Sequence, residues 1–216
     1  MMLSPLDQFD PRLRQVCATL AKSQLRTLEQ QLEIDAMLDY MYGVSNKAVR
    51  GANAVKAKPN VAGLSANQVG IMKQICAVDL SIGSRGYTDL YLFVNPRIVW
   101  ASKTVVERAE GCLNFTSTWG VTRRSRTVRV AALDRSGNEI EMKLTGWPAI
   151  LVQHEVDHLN GRLFIDRLPD PSHAHLVPPE EYLSYRKGKP QNWHAFDDVS
   201  SQAVTLPDYY QPEVPA

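Results

Sequence analysis

The sequence predicts an α+β fold in which mostly antiparallel β-sheets surround one central helix. Three observations carry this. Strand-length apolar runs crowd residues 71–144, one apolar helix-like run follows at 147–159, and nothing between them alternates strand with helix as parallel βαβ units do. With 216 residues, 44% hydrophobic and 22% charged, the chain is long enough for one domain with a real core.

The first element is a helix over about Gln24–Tyr42, with apolar Leu25, Leu28, Leu32 and Ala36 spaced by three or four. Ile34, Met37, Leu38 and Met41 widen that stripe, and Gly43 is its stop. Residues 44–60 read as a long loop. Strand-like runs follow at Ile71–Leu80, Leu90–Asn95, Thr104–Ala109 and Thr127–Asp134. Asp134-Arg-Ser-Gly137-Asn has the composition of a hairpin turn leading into a strand at Glu139–Leu144. Thr145 is placed to cap the helix that begins near Trp147-Pro148 and stops at Asn160-Gly161. Past Leu168 the composition shifts, and eight of the thirteen prolines lie in 169–216. The expected division is a catalytic domain at 1–168 and a Pro-rich tail at 169–216 that packs on the body or on a partner.

Charge and cysteine usage exclude several classes. The 24 Lys+Arg against 23 Asp+Glu leave a net charge of +1, so no basic field argues for a nucleic-acid partner. No apolar run approaches the roughly 18–20 residues of a membrane span. The N-terminal MMLSPLDQFDPRLR has no apolar signal core and carries Asp7 and Asp10, so a cytoplasmic location is expected. Cys17, Cys76 and Cys112 are odd in number and far apart, which is no disulfide framework. Cys17 and Cys76 read as small buried hydrophobes.

The chemistry starts at His154-Glu-Val-Asp-His158. Two histidines four residues apart share one helix face and can bind one metal ion, with Glu155 close enough to handle a proton of its water. A metzincin protease would carry a third His six residues on, but that position is Phe164. A thermolysin-like enzyme would need a downstream carboxylate, and Glu180 and Glu181 lie in a Pro-rich segment unlike a scaffold helix. The better third ligand is Cys112, in Glu110-Gly-Cys-Leu-Asn114 at the end of a strand-like run. Upstream, Gly63-Leu-Ser-Ala-Asn-Gln68 is a small-residue turn ending in an amide that could donate to an oxyanion.

At these three segments, in this order, the chain resembles the peptide deformylases. Their motifs are matched by Val61-Ala-Gly-Leu-Ser-Ala-Asn-Gln68, Glu110-Gly-Cys-Leu-Asn114 and His154-Glu-Val-Asp-His158. The likeness runs from about Asp10 to Leu168. It implies a metal-dependent hydrolase that removes the N-formyl group from the methionine starting new polypeptides. Cys112, His154 and His158 would hold the metal, Fe²⁺ in the cell with Zn²⁺, Ni²⁺ or Co²⁺ as substitutes. Metal-bound hydroxide would attack the formyl carbon, with Glu155 as general base and then acid. Gln68 and the Leu113 N–H would hold the oxyanion, and Ala62, Gly63 and Gly111 would pair with an extended peptide. Glu110 and Asp157 would orient the ligands. Nascent formyl-methionyl chains, and with them the ribosome, are the implied partners.

Three positions depart from the family pattern. Val61 replaces the first motif glycine, Asn114 replaces a serine, and Trp119 falls where many bacterial members have a substrate-contacting Arg. None is a ligand; all three bear on substrate preference, and Trp119 would favour an apolar pocket. They motivate a second reading, a deformylase-like hydrolase of another N-formyl or N-acyl substrate. A third is a metal-bearing scaffold whose tail recruits a partner. His173 and His175 read as surface residues of that tail.

Overall fold

The computed structural model describes residues 3–43, 60–80, 89–169 and 173–187. A 3-10 turn at Pro11–Arg14 is capped by Asp10, whose carboxylate accepts from Arg12 N at 2.9 Å. The expected first helix is broken in two: a single turn α1 (Lys22–Leu25), then α2 (Leu28–Tyr42). Thr27 causes the break, because its hydroxyl oxygen caps Gln30 N at 3.3 Å. The buried face of α2 is Ile34, Met37, Leu38 and Met41, whereas Leu28 and Leu32 of the expected stripe are 75% and 57% exposed. Gly43 ends the helix with φ +84°. The loop expected at 44–60 lies outside the described residues except for Asn60.

Five strands form one antiparallel sheet in the order β1-β2-β3-β6-β7: β1 (Gly63–Ser65), β2 (Ile75–Asp79), β3 (Leu90–Ala101), β6 (Thr127–Leu133) and β7 (Glu139–Thr145). A second antiparallel sheet has the order β4-β5-β8: β4 (Val105–Gly111), β5 (Thr118–Ser125) and β8 (Ala174–Leu176). The long helix α3 (Trp147–Leu159) packs against both. β2 shows why its sequence reads as a continuous apolar run. Ile75 and Ala77 join the core under α2, while Cys76 and Val78 join the core under α3.

β3 runs six residues beyond the expected Asn95. The strand passes Asn95-Pro96 through a register shift between Val94 and Arg97. Asn95 takes φ +51° there, and its amide fixes the conformation by bonding both the N–H (2.9 Å) and the carbonyl (2.8 Å) of Leu20. The hairpin turn is as expected: Asp134 Oδ1 accepts from Ser136 N and Asn138 N, each at 2.8 Å. Thr145 does not cap α3. It is the last residue of β7, paired with Thr127, and Gly146 makes the sharp entry at φ +71°. β1, β5 and β8 had no counterpart in the sequence reading.

Beyond Leu168, β8 adds to the second sheet and α4 (Tyr182–Lys187) follows. His175 is no surface residue: it is buried, with Nδ1 2.7 Å from the hydroxyl of fully buried Tyr185. The polypeptide 188–216 lies outside the described residues. Among the described residues no helix is long and apolar enough to cross a membrane.

Candidate active site and metal centre

Three elements converge where α3 passes between the sheets. Helical spacing puts His154 and His158 one above the other, with their Nε2 atoms 3.2 Å apart. Cys112, just past the end of β4, brings its Sγ to 3.2 Å from His158 Nε2. The three donor atoms lie within 4.8 Å of one another. The 3-10 turn Ala66–Val69 after β1 supplies Gln68, whose Nε2 lies 3.4 Å from Cys112 Sγ. Gln68 Oε1 accepts from Ser65 N at 2.8 Å, which orients the amide with its NH₂ toward the centre.

The donor set fits a divalent metal ion. Glu110 Oε2 lies 3.0 Å from His154 Nδ1, so the carboxylate accepts a hydrogen bond from Nδ1–H in the tautomer that leaves the Nε2 lone pair free for a metal. Glu110 opposes burial through Arg124 and His154, which hold its carboxyl well below the usual range. His158 is fully buried, and burial together with the neighbouring His154 holds its ring neutral. Two imidazoles, one thiol and no carboxylate suit iron, zinc, nickel or cobalt better than calcium or magnesium.

Around these donors lies a network of buried charges. Arg124 on β5 is bound to Glu110 at 2.6 and 2.9 Å and to Asp157 at 2.6 Å. Arg167 takes the other oxygen of Asp157 at 2.6 Å, and Thr122 donates to Glu110 Oε1 at 2.5 Å. Glu110 therefore touches a donor directly, whereas Asp157 reaches His154 only through Arg124 and Glu110. Asn67 Nδ2 donates to the carbonyl of His158 at 2.7 Å. Asn114 Nδ2 ties together the carbonyls of Leu6 (2.8 Å) and Gln68 (3.0 Å).

Glu155 reaches to β1. Ser65 Oγ donates to its Oε2 at 2.6 Å, and burial raises its pKa against the pull of His154 and Ser65. Gly63 makes room for it: a Cβ there would overlap Glu155 Oε1 and come within 2.8 Å of its carboxyl carbon. Gly111 does the same for Trp119, whose ring would sit 2.8 Å from an added Cβ.

A cleft of about 570 Å³ opens on this cluster. Of the residues singled out in the sequence, Val61, Ala62, Gly63, Gln68, Glu110, Gly111, Cys112, Leu113, Trp119, His154 and Glu155 line it, while His158 is not among the lining residues. Sequence reasoning missed Ser65, Asn67 and Arg124. Ser65 and Asn67 sit inside the matched motif but looked like turn filler. Arg124 sits on β5, whose run Thr-Trp-Gly-Val-Thr-Arg-Arg-Ser hides its alternation behind a glycine and two arginines. Val61 is half-buried against the core under α2, at the cleft rim.

These features are those of a cysteine–histidine metallohydrolase, and the comparisons agree. The polypeptide deformylase family profile matches residues 6–174, and the chain belongs to that family of metal-dependent enzymes. A peptide deformylase of Saccharophagus degradans is 36% identical over 169 residues, 77% of this chain and 85% of its own. Among solved structures, the class I type b peptide deformylase of Acinetobacter baumannii with Met-Ala-Ser bound aligns with TM-score 0.63 at 27% identity, covering 78% of this chain and 99% of that one. The Arabidopsis thaliana peptide deformylase 1B aligns with TM-score 0.64 at 30% identity, covering 79% and 82%. The α+β class and the enzyme class expected from the sequence both stand.

Proposed function

We propose that this enzyme removes the N-formyl group from the N-terminal methionine of nascent polypeptides, with Cys112, His154 and His158 holding one divalent ion. The observation that carries the reading is the convergence of these three donors beside one cleft, whose wall includes Cys112, His154, Glu155 and Gln68. The ion, Fe²⁺ in the cell in our reading, supplies an acidified water and polarises the formyl carbonyl.

The chain's residues do the rest. Glu155 takes a proton from the attacking water and passes it to the departing nitrogen; its raised pKa suits both halves of that task. The water oxygen adds to the formyl carbon, the C–N bond breaks, formate leaves and the peptide's amine keeps the proton. Gln68 Nε2 and the Leu113 N–H donate to the oxygen on which charge develops. β1 and β4 are both edge strands of their sheets and both flank the cleft. Backbone groups at Ala62, Gly63 and Gly111 can therefore pair with an extended peptide laid between them. A nascent-chain substrate places the enzyme where translation occurs, in the cytoplasm beside the ribosome. We read 169–216 as a tail, of which 173–187 closes one wall of the cleft.

Deformylation of formyl-Met-Ala-Ser tests this, using anaerobically purified enzyme with its metal quantified, alongside Glu155→Ala. Turnover near 10 s⁻¹ is expected. It should fall about 10²–10⁴-fold in the variant while the metal stays bound. A metal-loaded protein without turnover overturns the reading and favours another N-formyl or N-acyl substrate.

A further inference from the structure

Among the apolar residues that line the cleft, two groups are built differently. One comes from α3: Trp147, Ile150 and Leu151, the last two almost fully buried on the helix that carries His154 and Glu155. The other joins separate parts of the chain. Trp119 on β5 lies over Gly111, its register partner on β4, and only a glycine leaves room for the ring. The polypeptide beyond Leu168 then crosses the second sheet as β8, pairing His175 with Trp119. It returns in α4 to set Tyr182 at 5.1 Å and Tyr185 at 5.7 Å from the Trp119 ring. Tyr185 is fully buried and supports the indole from behind, while Tyr182 is half-buried and faces the cleft.

We propose that Trp119 and Tyr182 form an aromatic shelf that selects the residues after the formyl-methionine, favouring aromatic and large aliphatic side chains over acidic ones. The proposal rests on the deformylase reading. The methionine is common to all substrates, and in this proposal its side chain lies against the rigid, buried group on α3. The residues that follow vary, and half-exposed rings from two elements are the surface such side chains meet. Offset and edge contacts between rings add to the area they bury. Among the described residues lining the cleft none is Lys or Arg, so a carboxylate laid on the shelf would lose water there without a cationic partner. Tyr182 is thereby a specificity-determining residue supplied from beyond the motif-bearing part of the chain.

The test compares kcat/KM of the holoenzyme on formyl-Met-X-Ser and formyl-Met-Ala-X, with X as Phe, Leu, Ala or Glu. Phe and Leu should exceed Glu by about tenfold or more, carried in KM. Tyr182→Ala should shrink that ratio to within about twofold, whereas Tyr182→Phe keeps it. Trp119→Leu, which keeps an apolar side chain without the ring, should lower the Phe preference more than the Leu preference. Equal rates for all X, with formyl-Met-Ala-Ser turned over, overturn the shelf alone. So does a Tyr182→Ala enzyme whose discrimination changes at the first residue, formyl-Met against formyl-Ala, and not after it. Failure on every formyl-methionyl peptide overturns the deformylase reading and the shelf with it.

Discussion

The two walls of the cleft are held by different forces. On the donor side, Glu110, Arg124, Asp157 and Arg167 form a chain of charge-assisted hydrogen bonds, mostly buried, that ends on His154. On the aromatic side, Trp119 meets Tyr182 and Tyr185 in ring contacts, and the strap behind it (173–187) is joined to β5 by β8 pairing and carries a His175–Tyr185 contact. Directional bonds between buried charges have one good geometry, which suits atoms that must meet a metal within tenths of an ångström. Ring contacts tolerate small shifts, which suits a surface meeting many side chains. The contrast predicts that damage to the first wall costs stability and chemistry, and damage to the second costs selectivity.

The largest effect follows from removing the hub of the first wall. Arg124 is 2% exposed and satisfies two buried carboxylates. Arg124→Met keeps the volume but leaves Glu110 and Asp157 short of a partner, a loss of about 3–5 kcal/mol. Urea denaturation with bound metal held constant measures it. A loss under about 1 kcal/mol would mean that the network is no stiffer than the aromatic wall, and the contrast fails.

Glu110→Gln is a gentler cut at the same place. It keeps an acceptor for His154 Nδ1 but removes the charge that orients and enriches that ring. Bound metal should be lost to a chelator at about 10–100-fold lower chelator concentration. The fold should persist by circular dichroism, because Arg124 keeps its pair with Asp157.

The third prediction addresses the strap. Burial, then the neighbouring His173, lowers the pKa of His175 below its usual value of 6.5. The folded strap therefore prefers the neutral ring. Its contribution is fully present above about pH 6.5 and is lost as the pH falls through the lowered folded value, because the released chain binds the proton more readily. Hydrogen exchange across 173–187 should accelerate on acidification before exchange in α3 does. His175→Gln should remove that difference, whereas acceleration of both at one pH would show a single cooperative unit.

How much of this was legible in the sequence divides along the same line. The donor wall is built from side chains at fixed helical or turn spacing, so His154, Glu155, His158 and Cys112 stood out by residue type and position. The aromatic wall is built by long-range pairing. Trp119 faces His175 across fifty-odd residues through strands β5 and β8, and neither shows a clean period of two. Arg124 was hidden for the same reason, since an arginine in an irregular run looks solvated until a sheet buries it. The split between α1 and α2 was hidden differently. The periodicity of apolar residues runs straight through Thr27, and only its hydroxyl, by capping Gln30 N, decides where the helix starts.

That last point yields the smallest expected effect and a control for the others. Leu28 and Leu32 are four residues apart and look like part of the packed stripe, yet they are 75% and 57% exposed because the true stripe is carried by Ile34, Met37, Leu38 and Met41. Replacing both with Gln removes little buried area and puts a good helix former on an exposed face. The change in stability should stay within about 0.5 kcal/mol per site, with deformylation and its side-chain preferences unchanged. Met37→Ala, one helical face away and fully buried, should cost about 2–5 kcal/mol. If the Leu28 and Leu32 pair cost as much as Met37, α2 would bury the face that periodicity alone selects, and a further surface would have to cover it. Equal retention of fold and activity in the double variant instead isolates the two cleft walls as the places where sequence change reaches function.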